Sequence, residues 1–338
     1  MAEKHPLVSV IIPTYNRERL VCEAAASVLA QSFQDFELII ADDGSTDNTE
    51  KNLERYTEKY TRATRPRGPV PRPLHGPVYE PVYLKLRHSG MPGLVRNKGS
   101  QAARGRYLAF LDSDDLWLPQ KLELQMRLLQ TDTGNPLLCH TREKWLRAGK
   151  EISQAGQKHR REGDIFADAL VKCVIGPSTL VVEKAFFENH GGFREDLEIA
   201  EDYELWLRMS FTQPVLYVDK ALTIKRAAVR GPDEEDNLSA KYGHIEIFRI
   251  KALRDLIDKG FFSSRTENHT ENYAKNHAEN YEENHTKNHT ENYAKKEKLA
   301  REELARKCGI YAAGCRKRGK TAEAAEYEKL ILLYSRNP

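Results

Sequence analysis

Long apolar runs are missing from this 338-residue chain: no window approaches about 18 uninterrupted apolar residues, the length a membrane-spanning helix needs. Cysteine is scarce, and Cys22, Cys139, Cys173, Cys308 and Cys315 are scattered, odd in number and without CxxC spacing. That pattern excludes a disulfide framework and a cysteine metal site, and it points to reduced thiols in a reducing compartment. A large charge of one sign is also absent; the net +3 is too small to imply nucleic-acid binding. Met1-Ala2-Glu3-Lys4-His5 has no basic lead and no apolar core, so no signal peptide is expected. A cytoplasmic protein is the expectation, with attachment to the inner face of a membrane left open. The 40% apolar content suffices for one large domain and an appendage.

What the chain does have is acid in three particular places. Asp42-Asp43 follows the apolar run Phe36 to Ala41, Asp112-Ser113-Asp114-Asp115 follows Tyr107 to Leu111, and Glu201-Asp202 opens the segment running to Arg208. Carboxylates at the C-terminal ends of buried parallel strands project into the crevice where open α/β sheets bind ligands, and their mutual repulsion invites a divalent cation.

The first hundred residues alternate between strand and helix periods. Leu7–Ile12 is a strand stopped by Pro13, Arg17–Ala30 a helix, and Phe36–Ala41 a second strand. Ser45 or Thr46 then caps a helix to about Tyr60. Residues 62–81 carry six prolines among arginines and read as an inserted surface loop. From 62 to 106 there are ten Lys or Arg against the single acid Glu80, a source of positive field. A strand Val82–Leu86, a turn through Ser89-Gly90, a helix Leu94–Ala103, the strand Tyr107–Leu111 and a helix Pro119–Gln130 follow.

Residues 137–224 suit an α+β half, with strands near Leu137–His140, Thr179–Val182 and Val215–Val218 and helices near Ile165–Cys173 and Asp202–Phe211. From Asn268 to Asn292 an Asn recurs every four residues, each followed by His or Tyr. That composition reads as a polar low-complexity linker; a metal-binding stretch through His285 and His289 is the sharper alternative. The end of the chain reads as two helices turning at Arg318-Gly319-Lys320-Thr321, open to packing, self-association or contact with an anionic surface. The expected organisation is therefore a main domain over 1–260, a linker over 261–296 and a helical hairpin over 297–338.

Val8 to Arg17, Asp42 to Asp47, Val95-Arg96-Asn97-Lys98-Gly99, Phe110 to Asp115, Gly191-Gly192-Phe193 and Glu201-Asp202 together resemble the family 2 glycosyltransferases of the GT-A fold, in the family's order and over residues 6 to about 226. The resemblance implies an α/β, Rossmann-like mixed sheet flanked by helices, and inverting transfer of a sugar from a nucleotide-diphosphate donor, UDP above others, to a hydroxyl acceptor. It implies Pro13, Tyr15 and Asp43 around the base, Asp112 and Ser113 at the ribose or metal, Asp114 on the cation and Asp202 as catalytic base. A cell-surface polysaccharide or glycoconjugate is the product class it suggests.

The chemistry agrees with those roles. Cleaving a sugar-diphosphate bond puts negative charge on the leaving group, which a hard cation, Mg²⁺ or Mn²⁺, held by carboxylate oxygens neutralises. An acceptor hydroxyl must lose its proton, so one carboxylate must stand apart from the metal. Arg96, with Arg226 or Arg230 behind it, is the candidate contact for the diphosphate.

Plainer roles compete. Asp42 and Asp43 suit a turn, Asp115 suits a cap or a support for Asp114, and Glu201-Asp202 suits the acidic first turn of a helix. Tyr15 suits a core aromatic, Trp117 and Trp206 suit packing, and His140, His190 and His244 suit structural histidines. Where relatives have a histidine near the metal, Ile224 to Arg230 has none. Competing functions are a catalytically inactive sugar-nucleotide-binding scaffold and a nucleotidyltransferase; the latter lacks a glycine-rich phosphate loop in Pro13 to Arg17.

Overall fold

Side chains along the first strand alternate between two interiors. In β1 (Val8–Thr14), Val8, Val10 and Ile12 enter one apolar cluster and Ile11 the other, the period-2 signature of a strand covered on both faces. The computed structural model describes residues 5–64, 79–134, 136–153, 162–227, 245–263 and 283–335. Among them, β2 (Phe36–Asp42), β3 (Val82–Lys85) and β4 (Tyr107–Phe110) lie parallel to β1 in the order β3-β2-β1-β4. The chain winds outward through β2 and β3 and then returns to β4 on the other side of β1. Strand order thus reverses between β1 and β4, where an α/β sheet opens a ligand crevice.

The sheet continues with β8 (Val181–Glu183), antiparallel to β4, then β6 (Leu138–Arg147), β9 (Leu216–Ala227) and β5 (Leu116–Trp117), with β7 (Lys150–Ile152) hooked onto β6. Both β6 and β9 run well past the short strands expected at their starts. The register Ile11↔Phe110, Thr14↔Asp42 and Asp42↔Lys85 puts the segments after β1, β2, β3 and β4 along one edge.

Helices α1 (Leu20–Leu29), α2 (Thr49–Thr64) and α4 (Lys121–Thr131) and helices α3 (Pro92–Ala102), α5 (Phe166–Val171), α6 (Lys184–Asn189) and α7 (Glu201–Thr212) supply the flanking layers. Gly99 lets α3 lie against β1: a β-carbon there would fall 2.5 Å from Cγ2 of Ile11. The cap of α2 differs from expectation. Asp47 Oδ1 accepts from the Thr49 amide at 2.9 Å, whereas Ser45 turns back to donate to Asp42. The Pro/Arg insert lies outside the described residues over 65–78.

The C-terminal part is less separate than its composition suggests. Helix α8 (Ile245–Asp258), which the sequence did not announce, carries α9 (Glu283–Lys317) and α10 (Thr321–Tyr334). Residues 264–282 of the repeat lie outside the described residues, but its last units, with His285 and His289, already belong to the backbone of α9. Tyr293 is buried and stacks on Phe211 with ring centroids 4.8 Å apart. This packing outweighs the low helix propensity of asparagine. Lys296 donates to the Phe211 carbonyl at 3.0 Å and Lys307 to the Val171 carbonyl at 2.8 Å, so α9 caps the C-terminal ends of both α7 and α5. Tyr293, Leu304, Cys308 and Cys315 join the same core as Leu205 and Met209 of α7. The two terminal helices are thus continuous with the main body.

Candidate active site

Every acidic cluster singled out above reaches the edge where strand order reverses, but the residues do different work there. Asp42 is fully buried; its Oδ1 accepts from the amide of Ser45 at 2.9 Å and from its hydroxyl at 2.6 Å, while Oδ2 accepts from Tyr83. It closes the turn. Asp43 accepts from the Ser89 amide at 2.9 Å, the Ser89 hydroxyl at 2.8 Å and the Gly90 amide at 2.9 Å. His88 Nδ1 lies 3.0 Å from its Oδ2, and the His88 ring stacks under Tyr15 at 4.1 Å. Tyr15 therefore stands at the surface, supported by His88, beside Pro13 at the end of β1. The residues His88-Ser89-Gly90 were missed from sequence as site components, although the Ser-Gly turn marked their position.

The turn after β4 is tied down by one hydroxyl. Ser178 donates to Asp115 Oδ2 at 2.7 Å and accepts from the Asp112 amide at 3.0 Å. Burial pushes the Asp115 carboxyl up to about 8 while Lys225 pulls it down, which suits a supporting residue. Ser113 is buried within the turn. Burial also opposes charge on Asp112, yet Arg96 and Lys225 outweigh it and hold that carboxyl below its ordinary value. Asp114 is pushed the other way, by burial and then by Asp112. Among the described residues no side chain donates a hydrogen bond to its carboxylate.

Arg96 of α3 is fixed differently from the expected diphosphate contact. Its guanidinium donates to Asp112 Oδ1 and to Glu201 Oε1, each at 2.6 Å, and lies over the Phe193 ring. Burial disfavours its charge, but Asp112 and Glu201 win and keep it protonated. Burial raises Glu201 to about 7 even beside Arg96. Asp202 follows Glu201 at the start of α7, with Oδ1 accepting from the Tyr203 amide at 2.6 Å and Oδ2 facing the Cys173 thiol at 3.2 Å. Just before it, Ala200 sits at φ 65°, a left-handed conformation that costs a non-glycine residue energy and aims the first turn of α7.

The segment without histidine supplies a lysine. Thr223 of β9 donates to the Ser178 carbonyl at 3.1 Å, and Lys225, two residues on, shares that face of the strand. Asp115, Asp112, Glu143 and Asp114 all hold Lys225 in its charged form against burial. Arg226 turns instead to the Asp114 carbonyl and to Glu23. Arg230 lies outside the described residues.

Does this chemistry suit a cation? Among the described residues no three His, Cys, Asp or Glu side chains are grouped to hold one unaided. A Mg²⁺ or Mn²⁺ site needs only one or two carboxylates when phosphate oxygens and water complete it. Asp114, pressed toward protonation beside a charged Asp112, is the oxygen donor such an ion would relieve, so the residues fit.

The likeness to known proteins bears on the same segments. Residues 9–71 match the family model "Glycosyl transferase family 2", and residues 82–230 match "Glycosyltransferase like family 2". The chain is 31% identical over 216 residues to a putative teichuronic acid biosynthesis glycosyltransferase, TuaG, of Bacillus subtilis, covering 62% of this chain and 74% of that protein. It is 31% identical over 208 residues to the Escherichia coli UDP-Glc:alpha-D-GlcNAc-diphosphoundecaprenol beta-1,3-glucosyltransferase WfgD, covering 60% of this chain and 68% of that protein. Other relatives are longer: the chain spans about a third of an uncharacterized glycosyltransferase of Rickettsia felis, 32% of its length, at 30% identity and with 64% of this chain covered.

Among solved structures, S. aureus TarS 1-349 in complex with UDP superposes with a TM-score of 0.54 at 20% identity, covering 97% of this chain and 90% of that one. The mannosyltransferase PcManGT from Pyrobaculum calidifontis, in complex with GDP-Man and Mn2+, gives 0.53 at 16%, covering 98% and 85%. The fold is that of the GT-A glycosyltransferases. The chain belongs to glycosyltransferase family 2.

Proposed function

We propose that this protein transfers a sugar from a nucleotide-diphosphate sugar, UDP-linked, to a hydroxyl acceptor with inversion, in the assembly of a bacterial-type surface polysaccharide. The observation that carries the reading is the Arg96 bridge: it joins the acidic turn after β4 to the start of α7 and so brings the carboxylates of the two segments into one site. The names of TuaG and WfgD support the product class, and WfgD's name supports a UDP-sugar donor and a β-linked product.

The nucleoside stacks on Tyr15, which His88 backs, and Asp43 holds the loop that walls the base. Asp114, with Asp112 beside it, would hold Mg²⁺ or Mn²⁺. When bound, that ion neutralises charge on the diphosphate. Lys225 adds a fixed positive charge on the same side. Asp202 takes the proton from the acceptor hydroxyl as its oxygen bonds to the anomeric carbon and the bond to the diphosphate breaks, the electron pair leaving on phosphate.

The test is donor hydrolysis and transfer across UDP-, GDP- and dTDP-sugars with and without Mn²⁺. Metal-stimulated turnover of a UDP-sugar is expected, abolished by Asp202→Asn with UDP binding preserved. Turnover unchanged in Asp202→Asn would reject Asp202 as the base.

A further inference from the structure

A cysteine that the family resemblance does not account for sits against the proposed base. Cys173 follows α5, which Tyr203 ties to α7 by donating its hydroxyl to the Leu170 carbonyl at 2.7 Å. The thiol sulfur is 3.2 Å from Asp202 Oδ2 and 3.2 Å from the Ile175 carbonyl. That carbonyl already accepts from the Trp206 indole at 2.6 Å. The thiol has one hydrogen and two acceptors. With Asp202 charged, the hydrogen belongs on the carboxylate, since a carboxylate is a stronger acceptor than a carbonyl that already takes one hydrogen bond and keeps a second lone pair free.

We propose that Cys173 is a positioning residue that orients Asp202 in both of its protonation states. Before transfer the thiol donates to Oδ2, while the Tyr203 amide holds Oδ1, leaving the outward lone pairs of the carboxylate for the acceptor hydroxyl. After transfer the proton resides on Asp202, whose O–H donates to the sulfur as the thiol hydrogen swings to the Ile175 carbonyl. No hydrogen is gained or lost by the pair beyond the one delivered by the acceptor. An apolar side chain could do neither. Serine could do both.

Other charged groups face the same place and stay unchanged in the comparison: Glu201 beside Asp202, Arg96 from α3, Arg249 from α8 and Lys225 from β9. The inference rests on the reading of Asp202 as the base, and the experiment separates the two. The constants kcat and donor KM are measured separately for Cys173→Val, Cys173→Ala and Cys173→Ser alongside Asp202→Asn, with UDP affinity by calorimetry in each.

Loss of the thiol leaves the carboxylate unoriented, so in Cys173→Val and Cys173→Ala kcat should fall about tenfold. Donor KM and UDP affinity should hold, and Cys173→Ser should restore the rate. Val and Ala variants with the parental kcat, in an enzyme that Asp202→Asn inactivates, would overturn the proposal. Active Asp202→Asn would instead remove its premise. Should Val disturb folding, seen as a lowered melting transition, the smaller Ala decides.

Discussion

One guanidinium joins two segments that lie far apart in the chain: Arg96 donates 2.6 Å hydrogen bonds to Asp112 and to Glu201, and its side chain and that of Glu201 are both more than nine-tenths buried. Removing one partner of a buried ion network leaves the others as uncompensated charges, which costs about 3–5 kcal/mol. Arg96→Met should lower stability by that order in chemical denaturation and release Asp112 from its place. Arg96→Lys should fail to rescue it, because a single ammonium cannot span two carboxylates as a planar fork does. A Lys variant with parental stability and donor affinity would show that the bridge is dispensable.

Asp112 and Asp114 differ in what surrounds them, and the difference supports the separate roles proposed for them. Asp112 is held charged by Arg96, while Asp114 has burial and a like charge against it. Asp114→Asn should therefore weaken Mn²⁺ binding in the presence of UDP by tenfold or more, read by calorimetry, with little change in folding stability. Asp115→Asn should do the reverse: it leaves one acceptor oxygen for the two hydrogen bonds that Asp115 takes from Ser178 and from the Arg226 amide, and should lower the melting temperature while leaving metal affinity largely intact.

Lys225 is a buried, charged side chain in the stretch from Ile224 that has no histidine, where basic residues were expected to serve the phosphates. A fixed cation on the side proposed for the diphosphate contributes to binding whether or not metal is present. Lys225→Met should reduce UDP affinity about tenfold both with Mn²⁺ and in EDTA, and leave uridine binding unchanged. Equal losses for UDP and uridine would mean that the lysine supports the pocket rather than the phosphates.

Local signals exposed much of this arrangement, and non-local packing hid the rest. Strands β1, β2 and β4 are apolar runs whose period could be read directly, although β1 runs through Pro13 to Thr14, pairing with Ala41 and Asp42, where a stop at Pro13 was expected. Arg96 stood out as a basic residue, but its partners could not, since Glu201 is 105 positions away. Likewise His88 under Tyr15 is a pairing between two loops. In the repeat, composition argued against helix, and what overrides it is burial of Tyr293 against Phe211 together with capping of α7 by Lys296. Such contacts exist only once the fold has formed.

That capping also predicts a functional role for the terminal helices. Lys296 secures the far end of the helix that begins with Glu201-Asp202, donating to the Phe211 carbonyl and pairing with Asp164 at 2.8 Å. Lys296→Met keeps the apolar stem but removes the donor, and should cost about 1–2 kcal/mol of stability. If α9 only decorates the domain, turnover per folded molecule will be unaffected; if it braces α7, kcat should drop while UDP affinity stays.

Lys121 gives the chain a pH dependence outside the site. It is wholly buried, with no carboxylate paired to it among the described residues; its amine donates to Gln125 at 2.7 Å and lies 4.0 Å from the centre of the Trp117 ring. Burial pulls it down to about 7. In the unfolded chain it titrates near its ordinary value of about 10.4. Between those values the unfolded state binds a proton that the native state does not, so this group makes unfolding harder as pH rises. The slope is at most about 1.4 kcal/mol per pH unit, and below pH 7 the cost of burying the charged form is at its full value. Lys121→Met should flatten the stability profile between pH 7 and 10 relative to the parent, measured by urea denaturation at stepped pH. Its absolute stability at any one pH also carries the loss of the Gln125 hydrogen bond, so the difference in slope is the decisive quantity. Parallel profiles for the two proteins would place the native lysine in its ordinary charged state.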